Sequence, residues 1–100
     1  MFLRQAVAQR LKEYLLGSQE NQSDPLVLCK LFQIDGSGTW YITEYDQLDT
    51  VFCYVTGLGG DEWGYASLAE LEALCLMDRI PRIECDLHFA STAFSQLKLC

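Results

Sequence analysis

The strongest constraint on the fold is a pair of runs in mid-chain that are rich in β-branched and aromatic residues. Residues 39–45 are T-W-Y-I-T-E-Y and residues 50–56 are T-V-F-C-Y-V-T. Only residues 46–49 separate them, which predicts two antiparallel strands joined by a tight turn. The apolar run at residues 26–34 predicts a further strand, because the turn sequence D-G-S-G follows it at residues 35–38. Short turns between these strands predict an antiparallel meander.

Alternation along these runs predicts which side chains share a face of the sheet. In residues 39–45, Trp40 and Ile42 are expected on one face. The opposite face is expected to hold the polar and aromatic set Thr39, Tyr41, Thr43 and Tyr45. In residues 50–56, the small apolar side chains are expected opposite the aromatic pair: Val51, Cys53 and Val55 against Phe52 and Tyr54.

Two helices are predicted beside the meander. An apolar stripe formed by Leu3, Val7, Leu11 and Tyr14/Leu15 predicts an amphipathic helix over residues 2–16, with Gly17 ending this N-terminal segment of residues 1–17. A polar loop, residues 17–24, follows. Ser67 and Glu70 have the spacing of a capping box at the start of a second helix, whose buried stripe is Leu68, Leu71 and Leu74. A helix break is expected at residues 79–82.

The C-terminal part predicts one more strand, at residues 83–89, and a short helix around residues 94–97. One hundred residues are enough for one domain. The sequence therefore predicts a single α+β domain, residues 1–100. Its antiparallel sheet has four or five strands, with an N-terminal helix and a mid-chain helix.

Charge is distributed unevenly along the chain, whose net charge is −7. Residues 35–78 contain nine acids and no lysine or arginine. An acidic surface disfavours direct binding to nucleic acid and favours a basic protein partner, although acids also serve simply to keep a small domain in solution. No apolar run approaches the roughly 20 residues of a membrane span, and the N-terminus lacks the apolar segment of a signal peptide. A cytoplasmic location without membrane contact is expected.

Aromatic side chains on an outer face of the sheet, ringed by acids, would have the composition typical of a protein-binding surface. The predicted partner-binding residues are Glu44, Asp46, Asp49, Asp61, Glu62, Trp63, Tyr41, Tyr45 and Tyr54. The aromatic side chains have an alternative use, which is to pack under the N-terminal helix if both faces of the sheet are covered.

Few residues are suited to catalysis. His88 is the single histidine, and on a strand it would share a face with Glu84 and Asp86, which a metal ion could use as ligands. Polar residues on the solvent side of a strand give the same pattern without a metal. Residues 57–62 are glycine-rich, but their two acids argue against a phosphate site. The five cysteines form no C-x-x-C pair and are expected as free thiols. No cofactor is expected.

The strings T-W-Y-I-T-E at residues 39–44 and G-Y-A-S-L-A-E-L-E at residues 64–72 resemble a small bacterial family of unknown function. The resemblance covers residues 25–97. It implies occurrence on plasmids, phages and integrative elements, and hence a role near conjugation, replication or evasion of host defence; it implies no catalytic residue. Three cysteines depart from the pattern: Cys53 replaces a usual glycine, and Cys75 and Cys85 replace common arginines.

The preferred functional prediction is a non-enzymatic, acidic protein-binding module. Its partner is expected to be a basic surface of a nucleic-acid-handling complex, and the sharpest version is an inhibitor of a CRISPR or restriction complex. Two alternatives stay open. One is a small metal-dependent enzyme or metal-binding protein that uses Glu84, Asp86 and His88. The other is a structural subunit that self-associates, for example as a homodimer.

Overall fold

The structure is a computed structural model, and it describes residues 3–76 and 80–97. The elements follow in the order α1 (Leu3–Arg10), β1 (Leu26–Val27), β2 (Cys29–Gln33), β3 (Thr39–Tyr45), β4 (Thr50–Thr56), β5 (Glu62–Ser67), α2 (Leu68–Ala73), β6 (Cys75–Leu76), β7 (Ile80–Pro81), β8 (Ile83–Cys85), β9 (Thr92–Ala93) and a 3₁₀ helix (Phe94–Leu97). No helix within the described ranges is long and apolar enough to cross a membrane.

A five-stranded antiparallel sheet forms the centre of the molecule. Its strand order is β5-β4-β3-β2-β8, so β2 to β4 form the predicted meander. Strand β5 extends the meander at one edge, which was not predicted, and β8 joins at the other edge. Two short pairs, β1 with β9 and β6 with β7, flank this sheet. The α+β prediction is confirmed.

Both helices cover one face of the sheet, where the hydrophobic core lies. Val7 and Leu11 at the N-terminal helix are fully buried with Leu68 of α2. They pack with side chains of the covered face, among them Trp40 and Ile42. This confirms the predicted face of those two residues. Each such side chain contributes about 1.5–3 kcal/mol when it leaves water, so this face provides most of the stability of the fold.

Helix α1 is shorter than predicted, because it ends at Arg10 and not at residue 16. The Tyr14 carbonyl accepts the backbone N–H of Tyr45 at 2.9 Å, so the chain here pairs with the end of β3 and leaves the helical path. Leu15 is 52% exposed and lies outside the predicted stripe. Gly17 has a positive φ of 87°, but it belongs to the following loop and does not end the helix.

The predicted strand at residues 26–34 is interrupted at Leu28. Before the interruption, β1 pairs with β9, and Leu26 lies opposite Ala93. After it, β2 pairs with β3 and β8. Leu28 itself is buried and its N–H donates to the Ile42 carbonyl at 2.9 Å. One apolar run therefore contributes strands to two different sheets. The alternation of residues within the run does not predict where one strand ends and the next begins.

A β-bulge in β3 changes the predicted faces of its last residues. Ile42 lies opposite Cys53, yet Glu44 lies opposite Phe52, so β3 contributes one extra residue between the two pairs. A bulge of this kind reverses the alternation beyond it. Glu44 therefore shares the outer face of the sheet with Phe52, whereas Tyr45 is 1% exposed and belongs to the core. The prediction that Tyr45 faces outward with Tyr41 is wrong.

The C-terminal part contains two further corrections. Helix α2 ends at Ala73, earlier than the predicted break at residues 79–82, and Leu74 is 42% exposed and not part of a buried stripe. Strand β8 ends at Cys85 instead of residue 89, because the chain turns there and the Phe89 N–H donates to the Asp86 carbonyl at 3.1 Å. The short helix predicted near residues 94–97 is confirmed as the 3₁₀ helix.

Candidate functional site

Five aromatic rings lie together on the outer face of the sheet, away from the helices. This aromatic cluster consists of Phe52, Tyr54, Trp63, Tyr65 and Phe94. Strand pairing places four of them, because Phe52 lies opposite Tyr65 and Tyr54 lies opposite Trp63. The ring centroids of Phe52 and Trp63 are 5.4 Å apart with nearly parallel planes. Cross-strand aromatic pairs of this kind stabilise a sheet directly.

The fifth ring, Phe94, comes from the 3₁₀ helix. Its centroid lies 4.8 Å from that of Trp63 and 4.9 Å from that of Tyr54. The Phe94 N–H donates to the Pro25 carbonyl at 2.8 Å. Next to it, Ser95 donates from its backbone N–H and its hydroxyl to the Asp24 carboxylate, at 2.9 and 2.6 Å. These two bonds, the hydroxyl first, lower the pKa of Asp24. The C-terminal segment is thus held against the loop at residues 17–25.

The same loop is fastened to the sheet by two buried side chains. The Glu44 carboxylate accepts the backbone N–H groups of Gly17 and Gln19, at 2.7 and 2.8 Å. The Gln19 amide in turn donates to the carbonyls of Leu26 and Thr43, both at 2.8 Å, and accepts the Leu26 N–H at 2.7 Å. All of these polar groups are satisfied, so the loop forms a fixed wall beside the aromatic cluster.

A pocket of about 470 Å³ lies between this wall and the aromatic cluster. Four rings line it, namely Phe52, Trp63, Tyr65 and Phe94. Polar side chains of the loop line the other side, including Gln19, Glu20, Gln22 and Ser23. Glu20 supplies an exposed carboxylate, whereas the carboxylate of Glu44, which also lines the pocket, already accepts two backbone N–H groups of the loop. The described residues that line the pocket include no lysine or arginine. The volume is in the range of ligand pockets, and the lining suits a cationic or apolar group.

Comparison with known families supports the resemblance in the sequence. The profile of a family described as a protein of unknown function, DUF2958, matches residues 2–97. The chain belongs to the DUF2958 family. The match includes the N-terminal helix as well as the meander and α2. No curated protein and no solved structure has significant similarity to the chain.

Only part of the predicted partner-binding set of this DUF2958 protein lies at the pocket. Trp63 lines it, and Tyr54 is next to Trp63 in the cluster, with centroids 5.2 Å apart. Asp61 and Glu62 are exposed and precede Trp63 at the start of the edge strand β5. Tyr41 is on the same outer face, but its ring lies 5.9 Å from the Lys30 ammonium group. Burial raises the pKa of the Tyr41 hydroxyl.

Two predicted acids have structural roles at the other end of β4. Asp46 accepts the N–H groups of residues 48, 49 and 50 and so closes the turn before that strand. Asp49 accepts the Ser67 hydroxyl at 2.5 Å, the Ala69 N–H at 2.8 Å and the Arg4 guanidinium at 3.0 Å. The Ser67 hydroxyl is the main cause of a lowered pKa at Asp49. Ser67 Oγ accepts the Glu70 N–H at 3.3 Å, as the predicted capping box requires. Asp49 is a second acceptor at the start of α2, because it accepts the Ala69 N–H.

Two other predicted residues are buried and cannot contact a partner from the surface. Tyr45 is 1% exposed and Glu44 is 5% exposed. Tyr45 fills the core, and Glu44 holds the loop. Their inclusion in a surface patch is wrong, because the bulge exchanged their faces and the loop at residues 17–25 then covered Glu44.

The residues proposed for a metal site are not brought to one strand face. Glu84 lies on β8 and is exposed, but Asp86 and His88 follow the end of the strand. The Asp86 carboxylate accepts the His88 N–H at 3.0 Å within this turn. Within residues 3–76 and 80–97, no three histidine, cysteine, aspartate or glutamate side chains are grouped as ligands would be.

Sequence reasoning missed Phe94, Gln19 and Glu20 as parts of the site. Phe94 reaches the cluster only because its segment is held against Asp24 and Pro25, which are far from it in sequence. Gln19 and Glu20 stand in a polar loop that has no periodic pattern. The pairing of β1 with β9 brings these two chain segments together, and no local sequence pattern predicts that pairing.

Proposed function

We propose that this DUF2958 protein is a non-enzymatic binding module whose pocket receives a basic side chain of a partner protein. The single observation that carries the proposal is the composition of the pocket, in which four aromatic rings lie beside the exposed Glu20 carboxylate and the described lining residues include no lysine or arginine. Arginine is the preferred guest, because its guanidinium group stacks on aromatic faces and pairs with carboxylates.

Exposure of the rings supports this use. Tyr65 is 72% exposed, and Phe52, Trp63 and Phe94 are partly exposed. Aromatic side chains that are rigidly placed and incompletely covered dominate the binding energy of many interfaces. The wall formed by residues 17–25 is already ordered by Glu44 and Gln19, so binding need not order it.

Long-range electrostatics favour the same partner. Arg4 pairs with Asp49 at 3.0 Å, and Arg82 pairs with Asp35 at 3.3 Å, both away from the pocket lining. The exposed acid Glu20 lines the pocket, and the exposed acids Asp61 and Glu62 at the start of β5 add to the negative field of the protein. Such a field accelerates encounter with a basic surface and weakens with salt.

The family resemblance gives the proposal a sharper form. Association with plasmids and phages suggests that the basic surface belongs to a nucleic-acid-handling complex, such as a CRISPR or restriction complex. An acidic protein that occupies this surface would displace the phosphates that the surface normally binds. Inhibition of host defence is the biological role that we propose on this ground.

The binding proposal is tested with two synthetic peptides, one rich in arginine and one in which citrulline replaces every arginine. Citrulline keeps the shape and removes the charge. In NMR titrations, we expect shifts at the Trp63 indole and around Phe94 with the arginine peptide only, and both should weaken with salt. In Trp63→Ala, the shifts around Phe94 should be reduced. Leu48→Ala is the control, because Leu48 is 74% exposed in the turn before β4 and does not line the pocket. Equal shifts with both peptides would refute a cation site.

The proposed inhibition of a CRISPR or restriction complex needs a separate assay. The purified protein is added to DNA-cleavage reactions of CRISPR and restriction nucleases, with Trp63→Ala and the double change Asp61→Lys, Glu62→Lys as variants. We expect inhibition by the wild type that both variants lose. Cleavage unaffected by the wild type across the nucleases tested would remove the anti-defence role but leave the binding proposal in place.

Strand β5 favours a second candidate function, which is self-association. It is an edge strand of the sheet, and one side of its backbone is not paired within the described part of the chain. Edge strands can add a strand from a second copy. Light scattering of the reduced protein over a wide concentration range tests this: a constant monomer mass counts against a homodimer, and a doubled mass that falls on Gly64→Pro supports one.

A further inference from the structure

Two thiols face each other where β8 joins the sheet. The Sγ atoms of Cys29 on β2 and Cys85 on β8 are 3.5 Å apart. The strands are antiparallel, and Cys85 lies opposite Leu31, so the two cysteines are diagonal neighbours on the face that packs against the core. We propose that Cys29 and Cys85 form an oxidation site, a dithiol that a peroxide converts to an intramolecular disulfide.

The two thiols differ in access, as such a reaction requires. Cys29 is fully buried, whereas Cys85 is partly exposed on an edge strand. A peroxide therefore reaches Cys85 first, and Cys29 is held next to it as the resolving thiol. Cys53, by contrast, is buried without a neighbouring thiol among the described residues, and its sulfur lies 3.6 Å from the Gly64 carbonyl oxygen.

Electrostatics favour Cys85 as the nucleophile. The hydrogen-bonding contact with the Cys29 thiol, opposed by burial and by Asp86 and assisted by the positive charge of Arg10, lowers the pKa of Cys85 to about 7. The same contact and its own burial raise the pKa of Cys29. Burial raises the pKa of Cys53 to about 12, so that thiol stays protonated near neutral pH. The attacking species is the thiolate.

The reaction balances with one peroxide. The Cys85 thiolate attacks an oxygen of hydrogen peroxide, an S–O bond forms, the O–O bond breaks, and hydroxide leaves as water after taking a proton. The Cys29 sulfur then attacks the sulfur of the Cys85 sulfenic acid, forming the S–S bond and breaking the S–O bond. A second water leaves with the Cys29 proton. Two thiols lose two electrons, and one peroxide is reduced to two waters.

Closing the bond requires a local movement, and the position of β8 permits it. The sulfur atoms must approach from 3.5 Å to about 2.05 Å. Strand β8 has 3 residues, and within the described part of the chain it pairs with another strand on one side only. After it, Arg10 donates to the carbonyls of Leu87 and Phe89, at 2.9 and 2.6 Å. A disulfide between Cys29 and Cys85 would link the edge strand β8 covalently to β2.

Trypsin allows an unambiguous test on the full chain. Cleavage after Lys12, Lys30, Arg82 and Lys98 places Cys29 alone in peptide 13–30 and Cys85 alone in peptide 83–98. After one equivalent of hydrogen peroxide under native conditions, mass spectrometry should find these two peptides linked, with the loss of two hydrogens. Dithiothreitol should reverse the link, and the link should form more slowly in concentrated urea.

Variants decide between this site and random oxidation. Cys29→Ser and Cys85→Ser should abolish the linked peptide, while Cys53→Ala, the matched control, should keep it. Circular dichroism establishes that each variant is folded, and Cys85→Ala serves if the serine variant is not. Linkage of Cys85 to any other cysteine, its conversion to sulfinic acid with Cys29 still free, or equal rates in urea and in native buffer would overturn the proposal.

Discussion

The backbone N–H of Gln19 donates to the Glu44 carboxylate at 2.8 Å, in the buried space between the outer face of the sheet and the loop at residues 17–25. Glu44 accepts a second N–H, from Gly17, at 2.7 Å. The carboxylate that the bulge turns outward is thereby buried and bound to the backbone of the loop. It positions the wall of the pocket, and its removal should affect the pocket as well as stability.

Glu44→Gln should lower the free energy of unfolding by about 1.5–3 kcal/mol, because it replaces charge-assisted hydrogen bonds and points an amide donor at a backbone donor. Urea denaturation measures the change. Glu13→Gln is the control, since Glu13 is exposed. Amide hydrogen exchange of residues 17–25 should quicken in the Glu44 variant, and unchanged exchange and midpoint would show that the two bonds do not hold the loop.

Gly57→Ala should destabilise the protein more than Gly60→Ala. Gly57 has a φ of 80°, and a Cβ there would overlap the backbone carbonyl of Ser37. A Cβ on Gly60 would lie more than 4 Å from every non-neighbouring heavy atom of the residues that the structure describes. The unfavourable backbone conformation alone costs about 1–3 kcal/mol, and the overlap adds to it. Urea midpoints of the two variants test this, and equal midpoints would contradict the role given to Gly57.

Asp49 should make stability depend on pH in the acid range. Its pKa is lowered in the folded protein, by the Ser67 hydroxyl first and then by the Ala69 N–H and Arg4. A carboxyl with a lowered pKa contributes stability above its unfolded pKa of about 3.9, and this stability is lost as pH falls through the folded value.

The thermal midpoint of Asp49→Asn should accordingly lie below that of the wild type at pH 6, and the gap should narrow below about pH 4. Differential scanning calorimetry from pH 2.5 to pH 7 measures this gap. Asp61→Asn is the matched control on an exposed acid. A gap that is constant over the whole range would mean that the charge of Asp49 is not what stabilises the start of α2.

Phe94→Ala should open the pocket on one side and expose Trp63. Phe94 makes two ring contacts in the aromatic cluster, at 4.8 and 4.9 Å. Such aromatic pairs are each worth about 0.5–1.5 kcal/mol beyond the area they bury. We expect a lower urea midpoint and greater quenching of tryptophan fluorescence by acrylamide, because Trp63 becomes accessible while Trp40 stays buried in the core. Leu87→Ala, a change at a residue 56% exposed, should alter neither, and a Phe94 variant that behaves the same way would exclude Phe94 from the site.

Several features were predictable because they depend on neighbouring residues. Val51 and Cys53 are buried and Phe52 faces outward, as alternation in residues 50–56 requires. Ser67 caps α2 because a hydroxyl three residues before an amide can reach it at low entropic cost. The large number of aromatic residues in the middle of the chain was also evident from the sequence. Only the pairing of β4 with β5, however, places Trp63 beside Phe52.

The sequence by itself determined the class of fold, the meander, the capped helix and the acidic, aromatic character of one region, since periodicity and composition act over a few residues. Only the tertiary structure decided where the bulge in β3 falls, so that Glu44 faces outward and Tyr45 inward. It also decided that the loop at residues 17–25 and Phe94 complete the pocket. These outcomes depend on contacts between residues distant in the chain, where the free energy of packing outweighs local preference.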